Sequence, residues 1–373
     1  MTRSAKTLPM LVPADPAGMR RNHFNAIRLA MAMAVIWSHS FAIHRGSEDT
    51  EPVSLLLGGF YNAGSVGVRV FFIVSGFLIA RSWLASPQAA GYFAKRARRI
   101  YPGFIVATAI CAFVVVPLHA TAGWTLVSPA AVLDWSWRAL TLHGGVPGAD
   151  AFGGQAVNGA LWSIRYEAWC YVGVAVAGGL GLMRRPGLLV AATLGVMVGK
   201  AMLDVMGKQP GGGLVEAVFG WPYAWFSLAP CFLMGMLAQC YGRFVPRSMA
   251  GLCVLLAGLV ATTQLGGGSR IAFDLLFPLA ATYAVLFAAF SPVRLPDAAR
   301  FGDFSYGAYL YGFPIQQMLK WGLALSFPVY VLASFGFSLL AGAASWVLVE
   351  QWFVRRPVRA ARAVAPPPEL QPA

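Results

Sequence analysis

The chain reads as an all-α, polytopic membrane protein of about ten transmembrane helices with both termini in the cytoplasm. Three observations predict this. Hydrophobic residues make up 58% of the 373 and charged residues only 11%, with a mean hydropathy of +0.64; a water-soluble domain reaches such values only by exposing large apolar patches. Apolar stretches of membrane length recur in the windows 24–43, 62–82, 100–117, 161–180, 188–206, 222–240, 250–264, 271–291, 304–323 and 326–349. Finally, with the N-terminus inside, nineteen of the 28 Lys and Arg fall in cytoplasmic segments, the side that retains basic residues. The net charge of +14 is then mostly topology. The bilayer is the expected partner, and nucleic acid is not.

The chain divides into a cytoplasmic segment 1–21, a transmembrane domain 22–354 and a basic, then Pro-rich, cytoplasmic tail 355–373. Only the outer segment at about 118–160 is long enough to build a cap. The first span has no small-residue cleavage site after it and reads as retained. Cys111, Cys170, Cys231, Cys240 and Cys253 lack paired spacing and read as small core residues, so neither disulfides nor a metal site is expected.

The first span carries Arg28 and His39 eleven residues apart. Eleven helical steps return to nearly the same angle, so both side chains share one face, roughly 16 Å apart along the axis. Ionisable groups at membrane depth need a reason. One reading makes His39 a buried general base with a cation at the mouth of its approach; the other makes it a core His with Arg28 reaching the interface. In the second span, Gly67, Ser75 and Gly76 remove side-chain bulk, for helix packing or for a thin extended ligand, and Arg69 would be buried near the outer half. Lys95, Arg96, Arg98 and Arg99 precede the third span, with Arg96 and Arg99 one helical turn apart. They could grip a diphosphate together or anchor the span to anionic lipid. The fourth span opens with Trp162, Arg165 and Glu167 just inside the outer boundary. Glu167 could polarise His39, bind a sugar hydroxyl or pair with Arg69 or Arg165. The ninth combines Asp303, Ser305 and Tyr306 with a kink at Pro314 and Gln316 and Gln317 at membrane depth, features that line cavities.

Taken in order, Asn25 to Arg28 with His39, Gly67-Val-Arg-Val-Phe-Phe-Ile-Val-Ser-Gly-Phe77, Arg96-Ala-Arg-Arg-Ile-Tyr-Pro102, Leu161-Trp-Ser-Ile-Arg-Tyr-Glu167, Phe304-Ser-Tyr-Gly-Ala-Tyr-Leu-Tyr-Gly-Phe-Pro314 and Leu348-Val-Glu350 resemble the membrane acyltransferase 3 family. Its members include bacterial O-acetyltransferases of cell-surface polysaccharides. Many relatives carry His-X-Pro where this chain has Gly312-Phe313-Pro314.

The resemblance implies an O-acyltransferase of the bacterial inner membrane that takes an acyl group, acetyl above all, from cytoplasmic acetyl-CoA to a hydroxyl of an exported or cell-surface glycan. It makes Arg28 and His39 the essential pair, with Glu167 orienting His39 or the acceptor. Arg96 and Arg99, with Lys95, Arg98, Ser75 and Gly76, would hold the donor. Arg69, Trp162, Arg165 and Tyr306 would meet the acceptor. A proton-coupled transporter would also use buried His, Arg and Glu, but it has no need of a cytoplasmic phosphate-binding cluster.

Overall fold

A computed structural model of the chain describes residues 9–146, 150–266, 268–293 and 302–355. The Pro-rich tail, the basic residues beyond Arg355, and Arg294 and Arg300 lie outside the described residues. Within them, regular structure is helical apart from one antiparallel bridge between Met10 and Pro246. A helix stands in each of the ten windows: α1 (Phe24–Ser40), α2 (Ala63–Ala85), α3 (Ala89–Ile110), α4 (Trp162–Gly179), α5 (Pro186–Val205), α6 (Pro222–Tyr241), α7 (Met249–Thr262), α8 (Ser269–Ala289), α9 (Phe304–Gly322) and α10 (Phe327–Ser345). Among the described residues, seven helical stretches are long and apolar enough to cross a membrane, and they contain α1, α2, α3, α5, α6, α8 and α10. The other three are shorter or more polar: α7 has 14 residues, α4 carries Arg165 and Glu167, and α9 carries Gln316, Gln317 and Lys320.

Helix α2 is the hub, packing on α1, α4 and α6, while α9 packs on α10, α1 and α3. The crossing of α2 and α6 depends on bare backbone. A Cβ on Gly76 would lie 2.1 Å from the Phe232 carbonyl oxygen, and one on Gly235 would lie 2.1 Å from that of Ile73. Either side chain would force the helices apart. Gly76 therefore serves packing, and this replaces the expectation that it lines a ligand passage.

Two segments differ from their sequence windows. Helix α3 starts at Ala89 and runs through a wide turn at Cys111–Val115 into Val116–His119. The run Lys95 to Arg99 consequently lies on the helix rather than before it. The segment 118–160 does not simply cap the bundle. Its helix Pro129–Leu140 doubles back along α3: the Trp135 indole donates to Thr108 Oγ1 at 3.2 Å, and the Tyr101 hydroxyl, two turns closer to the start of α3, donates to the Leu140 carbonyl at 2.9 Å. Asp134 and Arg138 neutralise each other at 2.8 Å across one helical turn, and Leu133, Trp137 and Leu140 stay exposed. A helix with its charges paired internally and its apolar side open suits a lipid boundary.

One end of the bundle gathers the N-terminal segment, the α6–α7 connection, the end of α8 and the last turns. The Leu11 amide donates to the Val245 carbonyl at 2.7 Å, the His23 amide to that of Ala289 at 2.8 Å, and Arg99 pairs with Glu350 at 3.1 Å.

Candidate active site

At that end a cavity of about 140 Å³ opens between α1, α2, α3, α4 and α9, and Arg28, Arg96, Arg99, Ser75, Glu167 and Tyr306 line it. An ion cluster built from distant parts of the chain orders its floor. Asp303, just ahead of α9, accepts from Arg28 at 2.5 Å and Arg99 at 2.7 Å, and Glu350 accepts from Arg99 at 3.1 Å. The Ser305 hydroxyl donates to Asp303 at 2.6 Å and that of Ser345 to Glu350 at 2.9 Å. Two guanidiniums and two carboxylates give no net charge, so Arg28 and Arg99 are held in place at the cost of their freedom to neutralise a ligand.

Arg96 differs. Its guanidinium reaches the Ser82 hydroxyl at 3.3 Å, lies 5.8 Å from the Tyr92 ring and 6.0 Å from the Tyr171 ring, and has a buried Nε with no hydrogen-bond partner. A spare donor on an uncompensated cation, with an aromatic surround, suits a phosphate. Lys95 is exposed, and neither it nor Arg98 lines the cavity. Tyr306 lies under Arg99 at 5.1 Å and donates to the Ile100 carbonyl at 2.9 Å. It stands beside the cations on the first cavity. Glu167 accepts from Ser75 at 2.9 Å and from Tyr171, one turn along α4, at 2.6 Å.

Val68 and Tyr309 wall this cavity off from a second one of about 180 Å³, and it is here that His39 lies, with Glu48, Asn62 and Arg69. The His39 ring meets Phe313 edge-on at 5.0 Å, and no described residue hydrogen-bonds to either ring nitrogen. Arg69 stacks on Tyr61 at 3.7 Å and donates to the Ser65 carbonyl at 3.0 Å and to the Ser227 hydroxyl, while its buried Nε has no partner. The carboxylate that shares a cavity with His39 is Glu48 from the α1–α2 loop, while Glu167 lies on the first cavity. Glu48 accepts from Ser38 at 2.9 Å and from the Asn62 side chain. Burial lifts the Glu48 carboxyl above its usual range, and the Ser38 and Asn62 donors offset only part of that rise.

Helix α9 fixes the geometry between the cavities. Pro314 has no N–H for the Leu310 carbonyl, and Asn158 supplies the missing donor at 2.9 Å. Gln316 donates to the Ile36 carbonyl and Ser40 hydroxyl, both at 2.8 Å, tying α9 to α1. Gly312 sits in that crossing, where an added Cβ would meet Ile36 at 2.7 Å. A larger residue at 312 requires the two helices to separate.

Trp162 is common to the His39 cavity and a third chamber of about 490 Å³, which Arg138, His143, Arg165, Glu216 and Trp221 also line. Arg165 donates to the Glu216 and Ala217 carbonyls, each at 3.4 Å.

Of the site residues expected from sequence, the structure thus groups Arg28, Arg96, Arg99, Ser75, Glu167 and Tyr306 on the first cavity. His39 and Arg69 lie on the second, and Arg165 on the third, with Trp162 joining the last two. Asp303, Glu350, Glu48 and Asn62 were missed as site residues. Asp303 and Glu350 had signals in the ninth-span and final motifs, whereas a polar loop residue such as Glu48 carries none.

Residues 21–348 match the acyltransferase 3 family, described as an acyltransferase domain. The chain is 28% identical to the "O-acetyl transferase" of Shigella phage Sf6, over 90% of this chain and 97% of that protein. It is 27% identical to "Nodulation protein 10" of Rhizobium leguminosarum bv. viciae, over 89% and 92% respectively. No solved structure matches it. With the family covering most of the helical bundle and all three cavities falling within the matched span, the chain belongs to the membrane acyltransferase 3 family and is an O-acyltransferase.

Proposed function

We propose that this enzyme moves an acetyl group from cytoplasmic acetyl-CoA, across the inner membrane of a bacterium, to a hydroxyl of an exported or cell-surface glycan. The observation that carries this reading is the succession of three cavities with common walls, cationic at the end where the basic segments gather, holding His39 in the middle and opening at the far end beside Trp162 and Arg165. The clustering of Lys and Arg supports a cytoplasmic Arg96 end, the side that retains basic residues. Arg96 would bind a CoA phosphate, with Arg28 and Arg99 shaping the entry. The name of the phage relative supports acetyl transfer. Size is in keeping with it: the His39 cavity, at about 180 Å³, is close to one that holds a benzene-sized group, room for a thioester and one hydroxyl.

In the reaction, His39 takes the proton of the acceptor hydroxyl as its oxygen attacks the thioester carbonyl. The C–O bond forms, the C–S bond breaks, and the imidazolium returns the proton to the departing thiolate. The Arg69 guanidinium, whose Nε is otherwise unpartnered, stabilises the negative charge on the carbonyl oxygen. Glu48 accepts a bond from a neighbouring hydroxyl of the acceptor and orients it. Purified protein in proteoliposomes should release CoA from labelled acetyl-CoA and pass the label to glycan. Transport of a solute with no thioester cleavage would favour a transporter instead.

A further inference from the structure

Among the described residues, only Val68 of α2 and Tyr309 of α9 line both the Arg96 cavity and the His39 cavity. Both side chains are buried, but they differ in freedom. A valine on a helix keeps essentially one rotamer. The α2 backbone beside Val68 is also pinned to α1, since a Cβ on Gly67 would lie 2.9 Å from the Met31 carbonyl oxygen. A helical tyrosine has two accessible χ1 wells, so the Tyr309 ring can leave the partition while α9 stays in place. Its hydroxyl holds it there. It donates to the Ala160 carbonyl at 2.5 Å and, with its proton so used, accepts from the Ser163 hydroxyl at 2.7 Å.

Residues 160–163 form the turn that leads into α4, and all three cavities share it. Ala160 lines the His39 cavity, Ser163 the Arg96 cavity, and Trp162 between them the His39 cavity and the third chamber. The chain just before this turn is itself bonded to α9: Gln317 donates to the Ala156 carbonyl and Asn158 to the Leu310 carbonyl, both at 2.9 Å. One short, anchored turn thus fixes the one ring that can open a passage between donor and base. We propose that Tyr309 is a door between the donor and His39 cavities, latched on the turn 160–163, and that its closed state keeps the thioester from His39 and makes water a poor acceptor. The inference rests on the acyl-transfer reading and adds to it what separates transfer from hydrolysis. In the side reaction that the door suppresses, a water oxygen bonds to the thioester carbonyl carbon and the C–S bond breaks. His39 carries a water proton to the departing thiolate, giving acetic acid and the CoA thiol. Opening gives up two neutral hydrogen bonds, each worth roughly two- to twelvefold in an equilibrium. Acceptor-free hydrolysis then scales with the fraction of molecules whose door is open.

Water serves as the probe nucleophile, with the full chain in proteoliposomes free of glycan and the release of acetate and CoA followed from labelled acetyl-CoA. Tyr309→Phe keeps the ring and drops both bonds. It should raise hydrolysis about tenfold or more while acetyl-CoA affinity stays within about twofold of wild type. Ser163→Ala drops one bond and should raise hydrolysis about threefold, which keeps the test decisive even where Tyr309→Phe does not fold. Retained acetyl-CoA binding shows which variants are folded. Tyr309→Phe combined with His39→Gln should fall back to the level of His39→Gln alone, because the leak runs through the base. Hydrolysis unchanged or lowered in the folded variants would overturn the proposal. So would a rise that survives the loss of His39, which would assign the leak to a loosened bundle. Wild-type protein that passes acetyl to glycan, with no rise in Tyr309→Phe, refutes the door alone, whereas wild-type protein that releases no CoA with or without glycan refutes the acyl-transfer reading.

Discussion

Replacing Asp303 with Asn removes the charge that two guanidiniums share, and its effect can be worked from the geometry. Arg28 and Arg99 stand 2.5 Å and 2.7 Å from the same carboxylate oxygen, with the side chains only 17–21% exposed. At an effective dielectric near 20, each attraction is about 4 kcal/mol at 4 Å. Part of that is offset by desolvation, and removing one partner of a buried pair costs about 3–5 kcal/mol in practice. Glu350 remains, but it faces Arg99 rather than Arg28. Asp303→Asn should therefore lower the Tm in detergent by roughly 5–10 °C, at about 2 °C per kcal/mol for a domain of this size. The double variant Asp303→Asn with Arg28→Gln restores the charge balance and should recover part of the stability, a coupling that a thermodynamic cycle reads directly. Acyl transfer should not recover, because Arg28 lines the donor cavity. A single variant that melts within about 1 °C of wild type, or a double variant as destabilised as the sum of its parts, would refute the claim that the four charges act as one unit.

Other outcomes follow from the same geometry. His39→Gln should remain in the membrane at normal levels while acetyl transfer falls by roughly two to four orders of magnitude; membrane-fraction blots and label transfer check both halves. Arg96→Gln should weaken acetyl-CoA binding by about 1.5–3 kcal/mol while leaving a phosphate-free pantetheine thioester unaffected, and an equal loss for both ligands would make Arg96 structural. Glu48→Gln should slow transfer at least about tenfold and shift the acid limb of the pH–rate profile, since burial puts the wild-type carboxyl above its usual range. An unchanged profile would remove Glu48 from the site.

The helices and their order were legible because apolar length is a local property. Each of the ten windows holds a helix, and the conflict between His39 or Arg69 and its apolar surroundings was visible one span at a time. What failed was long-range or two-valued. Small residues in a span mean packing or passage, and only the Phe232 carbonyl beside Gly76 decides between them. The segment 118–160 reads as a possible cap, and the Asp134–Arg138 pair that lets its helix lie along α3 is not visible from composition. For Glu167 the sequence leaves His39, an acceptor hydroxyl and Arg69 or Arg165 as possible partners. Ser75 and Tyr171 instead hold it on the first cavity, and a loop just beyond α1 brings Glu48 to His39. The Arg99 charge could be counted from the sequence, but not its neutralisation by residues 204 and 251 positions away.

The central claim is that the acyl group crosses the membrane through the His39 cavity, and sidedness tests it most directly. Vesicles of known orientation would be sealed with a membrane-impermeant glycan acceptor on the face opposite Arg96, and labelled acetyl-CoA supplied on the Arg96 face. The account predicts label on the trapped acceptor with wild-type protein and none with His39→Gln. Transfer only when donor and acceptor share the Arg96 face would contradict it.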